Sequence, residues 1–140
     1  NDMVMRNSKY AVIATSLATS VIEEATAKAF DASTKDSLII NTMGLTSADK
    51  LGLEGGETLV NADDFDDFNK MTEIDTVDVG GILNRVVFNT TSRIVYVDPL
   101  YPDVPMNSPS MFKKISVIVT SPAMSDTIRQ ELVFSYFRFQ

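Results

Sequence analysis

A chain of 140 residues with 12 basic and 19 acidic side chains, net charge −7, is one domain's worth of sequence, and its 44% hydrophobic content can build a sizeable core. It has no histidine and no cysteine, which excludes disulfides, imidazole and thiolate metal ligands, thiol nucleophiles and the usual general base at neutral pH, so an enzyme is not expected. The acidic balance and scattered Lys and Arg argue against nucleic acid or an anionic membrane surface as the main partner, since both need a basic patch.

The first element predicted is one long amphipathic helix over residues 3–31. Apolar or small residues recur at Tyr10, Ile13, Ala14, Leu17, Ala18, Val21, Ala25 and Ala29, and Glu24 to Lys28 is a favourable i to i+4 pair. Leu17, Val21 and Ala25 are expected to carry helix-to-sheet packing. The helix arrives without an N-cap, and the chain opens on Asn-Asp-Met rather than on an initiator methionine, so a start upstream of Asn1 is expected. No run of about 18 apolar residues is present to span a membrane.

Residues 32–81 read as an elaborate acidic connection punctuated by Gly44, Gly52, Gly55 and Gly56, with Thr46 capping a single helical turn over Ser47 to Leu51. Its far end is Asp63-Asp64-Phe65-Asp66-Asp67-Phe68-Asn69. Asp63, Asp64, Asp66, Asp67 and Asn69 supply enough oxygens to be a candidate Ca²⁺ ligand set, although the glycine turn and distal glutamate of a helix-loop-helix calcium site are missing. The competing reading is a solvated acidic loop anchored by Phe65 and Phe68. Use of these carboxylates as a glycosidic acid and base pair finds no second carboxylate opposite them.

Residues 82–140 are expected to form the sheet. The period changes to two at Ile82, and one bent strand or a hairpin runs to Asp98, with Asn89-Thr90-Thr91, a glycosylation sequon, read as a strand-connecting turn. Pro99, Pro102, Pro105 and Pro109 predict an extended surface loop over 99–110. Lys114 to Thr120 then places Ile115, Val117 and Val119 on one face. After the turn at Ser121-Pro122, Thr127 to Phe139 returns antiparallel, with Phe134 and Tyr136 on one face and Phe137 and Phe139 on the other. The fold class expected is α+β, a single domain over 1–140 in which the long N-terminal helix packs on an antiparallel sheet of three to four strands.

These blocks resemble a known family. Ala14-Thr-Ser-Leu-Ala-Thr-Ser-Val-Ile-Glu-Glu-Ala is similar to the region following the membrane-inserted part of type IV pilin-like proteins, including the minor pseudopilins of type II secretion. Asp63-Asp-Phe-Asp-Asp-Phe-Asn resembles their acidic, aromatic stretch after that helix. Arg93-Ile-Val-Tyr-Val-Asp-Pro and Lys113-Lys-Ile-Ser-Val-Ile-Val-Thr-Ser-Pro resemble their paired strands. The family's cleavage site, its glutamate-bearing apolar segment and the disulfide-bounded loop of many major pilins are absent, which points to the soluble part of a minor or pseudopilin-like subunit. The resemblance implies a structural subunit of a pilus-like or pseudopilus-like filament. Its partners would be other subunits, and it would be held to the membrane by an upstream helix, with the head in the periplasm or outside the cell. Val4 and Met5 would then face neighbouring subunits. The alternative is a secreted or periplasmic module that holds a ligand with its acidic and proline-rich loops.

Overall fold

The computed structural model describes residues 2–31, 34, 42–52, 62, 64–80 and 85–136, with the side chains of residues 2–7 left aside. Helix α1 spans Asp2–Thr26, and the strands are β1 (Met71–Asp78), β2 (Arg85–Asp98), β3 (Tyr101–Met106), β4 (Phe112–Thr120) and β5 (Ile128–Ser135). All pair antiparallel in the order β1-β2-β4-β5, with β3 also on β2. The expected sheet of three to four strands is thereby corrected: among the described residues the sheet has five, and strand residues outnumber helical ones, so the fold is dominated by its sheet.

Each correction has a local cause. β1 lies inside the stretch 32–81 read as a connection, because its inward face mixes apolar ends with two carboxylates and shows no clean alternation. In register with buried Ser92, Thr90, Phe88 and Val86, its inward positions are Met71, Glu73, Asp75 and Val77, while Ile74 points outward and is 69% exposed. β3 occupies the segment read as a proline loop. Prolines cannot donate to a ladder and are tolerated at an edge, and β3 pairs with β2 irregularly, Tyr96 opposite Met106 and Asp98 opposite Tyr101 with a register shift between them. Asn89-Thr90-Thr91-Ser92 is mid-strand rather than a turn, with Thr90 and Ser92 buried and Ser92 Oγ donating to the Phe68 carbonyl at 2.5 Å. The fourteen-residue β2 needs that length because one of its edges serves two partners in succession, β1 and then β3, while the other pairs with β4.

The helical turn near residue 47 is a 3₁₀ turn at Ala48–Lys50, with Ser47 rather than Thr46 at the N-cap. Gly55, Gly56, residues 82–84, Phe137 and Phe139 fall outside the described residues.

Helix α1 covers one sheet face, chiefly over β4 and β5. Its fully buried positions are Ala14, Ala18 and Ala25, with Tyr10 and Val21 completing the stripe at the three- and four-residue spacing of one helix face. Val21 and Ala25 thus lie in the contact, whereas Leu17 sits half-buried at its margin. Alanines let the helix axis approach the sheet closely, so Ala18→Leu should cost about 1–3 kcal/mol through overpacking, seen as a lowered thermal midpoint. The helix ends at Thr26, five residues before the expected boundary, where Thr26 Oγ1 donates back to the Ile22 carbonyl at 2.9 Å. Beyond it, Phe30 and Asp31 are buried.

Candidate functional site

The acidic motif folds inward. Phe65–Phe68 is a 3₁₀ turn closed by a capping box in which the Asp67 carboxylate accepts from the Asp64 N–H at 3.2 Å. Phe65 N–H donates to the Ala29 carbonyl at 2.7 Å, which fastens the turn to the chain leaving α1. The two aromatic residues do anchor the loop: both Phe65 and Phe68 are buried, and Phe65 packs on Phe134 with ring centres 4.7 Å apart. Phe30 in turn lies against Phe134 and Tyr136. The acids are not solvated, however, since Asp64, Asp66 and Asp67 are as buried as the phenylalanines.

What receives them is Lys113, the first inward residue of β4 and itself fully buried. Its ammonium donates to the Phe30 carbonyl at 2.7 Å and to Asp31 Oδ1 at 2.8 Å, and pairs with Asp66 Oδ1 at 2.5 Å. It also lies 4.3 Å from the Phe30 ring centre and 5.1 Å from that of Tyr96, so its cationic head is faced by two aromatic rings as well. Asp31 is further held by Thr46, whose N–H and hydroxyl donate to it at 3.2 and 3.0 Å. The Tyr96 hydroxyl donates to the Thr46 carbonyl at 2.6 Å.

Negative charge is in surplus around this single cation. Burial pushes the Asp66 carboxyl up to about 8, against the pull of Lys113, and the nearby Asp31 adds to the rise. Burial and the neighbouring carboxylates likewise hold the Tyr96 phenol far above its ordinary value, so it remains a neutral donor. A raised carboxyl can mark an acid or base at work on a substrate. Here it is enclosed by Lys113, Phe30 and the 3₁₀ turn, and its chemistry is that of a clamp joining the end of α1, the acidic turn and the centre of the sheet.

Asn69 completes the clamp rather than joining a metal shell. Its Nδ2 donates to the Leu51 carbonyl at 3.0 Å and its Oδ1 accepts from the Ile94 N–H at 2.8 Å. Asn69→Ala should therefore cost about 1–3 kcal/mol by orphaning both backbone groups, measurable by urea denaturation. Of the candidate calcium ligands, Asp63 lies outside the described residues. Asp64 and Asp67 cap the turn, Asp66 meets Lys113 and Asn69 bridges backbone. No group of three or more acidic side chains among the described residues is arranged to hold a metal ion. Val4 and Met5 lie within α1 but outside the side chains described.

Of the two loops assigned to a ligand-binding module, the acidic one forms the buried clamp and the proline-rich one forms strand β3, whose Pro105 lines a groove on the sheet. An open concavity among the described residues lies on the sheet face turned away from α1, a groove of about 580 Å³ lined by residues of β2, β4 and β5 with Lys70, Thr72 and Pro105. Among the described residues no helix is long and apolar enough to cross a membrane. No protein family, curated protein or solved structure matches this chain.

Proposed function

We propose that the chain is the head of a structural subunit of a type IV pilus-like or type II secretion pseudopilus-like filament, assembled through helix α1 and held to the cell envelope by an apolar segment upstream of Asn1. The observation that carries this reading is how little of α1 the sheet uses. The helix gives the sheet a narrow stripe of alanines with Tyr10 and Val21, while Val12, Thr15, Ser16, Ser20 and Glu23 remain open on its other side, Val12 at 67% exposure. Small side chains on an open helix face allow a second helix to approach closely.

The helix also continues beyond its tie to the end of β1. Lys9 donates to the Val79 carbonyl just beyond the end of β1, and α1 runs on from there to Asp2, roughly 10 Å of further axis. Packing such helices side by side would drive assembly at about 25 cal/mol per Å² of apolar surface removed from water.

The coding sequence upstream of Asn1 and the fractionation of the native protein test the reading together. An apolar segment of about 20 residues running into α1, with the protein recovered in envelope-associated filaments, is the expected result. A reading frame that opens at α1 without such a segment, or a native protein recovered only as a free monomer, would overturn it.

A further inference from the structure

The sheet face turned away from α1 gathers basic residues that are scattered in the sequence. Lys70, Arg93, Lys114 and Arg129 all line the groove there, over a floor that includes Val95 and Ile118, in a chain whose net charge is −7. The strand register makes the cluster. Arg93 stands opposite Ser116, which stands opposite Glu131, and Thr91 stands opposite Ile118, which stands opposite Arg129, so side chains from three strands share one face.

Among the described residues Lys114 is the one of the four in an ion pair, with Glu131 at 3.0 Å and more distantly with Asp103, and Arg129 also acts on Glu131 through its charge. Lys70, Arg93 and Arg129 are exposed and make no ion pair among the described residues. Lys70 moreover holds its place at φ +60°, a left-handed conformation that glycine would adopt with less strain.

The opposite side of the sheet carries the complement. Glu73 and Asp75 project from the edge strand β1 toward the side occupied by α1, where Glu24 is close enough to act on Glu73. The three carboxylates make no ion pair among the described residues, and the Glu73 carboxyl is held above its usual range by partial burial and by these two like charges.

We propose that the basic groove seats a second copy of this chain, which enters with the acidic edge formed by Glu24, Glu73 and Asp75. Because groove and edge lie on opposite faces of one sheet, a molecule cannot fill its own groove. A groove that takes another copy's edge, while its own edge enters a third copy, makes a heterologous contact, the kind that builds a filament where the rotation does not close into a ring. The apolar floor and the Glu131 carboxylate suit a short protein edge better than a polyanionic strand, which Glu131 and the overall negative charge would repel. The biological setting rests on the filament reading, but the contact is testable on the 140-residue chain by itself.

Sedimentation of the chain at low ionic strength is expected to show self-association that weakens as salt is raised. Reversing the groove (Arg93→Glu with Arg129→Glu) or the edge (Glu24→Lys with Glu73→Lys) should weaken it at least tenfold, and an equimolar mixture of the two variants should recover it. Lys70→Gly should weaken association while leaving the denaturation midpoint unchanged or higher. A control with Lys50→Glu and Arg85→Glu changes net charge as much as the groove variant does, and should still associate.

A chain that stays monomeric at millimolar concentration, reversals without effect, a mixture that fails to recover, or a control that loses association equally would each overturn the proposal. So would binding of single-stranded DNA through the groove in place of self-association. Filaments that assemble from full-length subunits carrying the groove reversal would remove the contact and leave the filament reading standing. Association of the soluble chain through the groove, with no apolar segment upstream, would do the reverse.

Discussion

Lys113→Met should remove about 3–5 kcal/mol of stability, enough to leave much of the protein unfolded under conditions where the parent chain is native. The substitution roughly keeps the volume of the side chain and removes its charge and its N–H donors. Asp31 and Asp66, which the ammonium meets at 2.8 and 2.5 Å in a fully buried setting, both lose it, Asp31 as its counter-charge and Asp66 as the cation that favours its ionised form, and the Phe30 carbonyl loses its donor. The cost lies mainly in these stranded groups rather than in the pair itself, which gives the experiment a second arm. Adding Asp31→Asn and Asp66→Asn to Lys113→Met should return a substantial part of the loss, because neutral groups are far cheaper to bury than carboxylates. Lys114→Met, next door in β4 but facing outward, should change stability by no more than about 0.5 kcal/mol, since its partner Glu131 is exposed. Equilibrium denaturation of the four proteins decides the matter. Equal effects at positions 113 and 114 would show that the buried clamp does not hold the fold together.

Lys113 also marks how far the sequence could be read. The period-two pattern of β4 puts Ile115, Val117 and Val119 inward, and one step back along the same face falls on Lys113. A lysine in register with three core residues demands a buried carboxylate, and Asp63-Asp-Phe-Asp-Asp-Phe-Asn was the richest source of one. A strand start placed at Lys114, one residue later, hides this demand and leaves the motif facing solvent or a metal. Phe65 and Phe68 as anchors were legible from their hydrophobicity alone. That the aspartates between them also turn inward was not, because it depends on a 3₁₀ turn and a partner about 47 residues away in sequence.

The sheet failed to announce itself wherever local chemistry and position disagree. In β1 the residues facing inward include Glu73 and Asp75, which an edge tolerates and a central strand would not. In β3 the prolines argue against any strand, and the edge of β2 beyond β1 is one of the few places where they fit. The groove was hidden for a different reason. Lys70, Arg93, Lys114 and Arg129 are dispersed along the chain, and only the pairing of β2 with β4 and of β4 with β5 brings them to one face. Scattered charge in the sequence is therefore weak evidence for scattered charge on the surface.

The second large effect is an inverted dependence of stability on pH. An aspartate freed by unfolding titrates near its ordinary value of 3.8, whereas in the fold burial pushes Asp66 up to about 8. The folded state thus holds this proton more tightly than the unfolded state does. Asp66's stabilising contribution is complete below about pH 4 and is lost progressively as pH rises through about 8, with a limiting slope of about 1.4 kcal/mol per pH unit. Glu73, raised by partial burial and by Asp75 and Glu24, acts in the same direction. Glu131, lowered by Lys114 and Ser116, acts oppositely but is exposed, so solvent screens its effect, which is confined to the acid end. Urea midpoints should therefore fall between pH 5 and pH 8, where most proteins are near their plateau. Asp66→Asn, which keeps the shape and cannot ionise, should flatten that fall and be more stable than the parent at pH 8. In Lys113→Met the cation that favours ionisation is gone, so the fall should extend above pH 8. A parent midpoint that rises from pH 5 to pH 8, with Asp66→Asn destabilised throughout, would mean that Asp66 is already ionised and that Lys113, rather than burial, sets its charge.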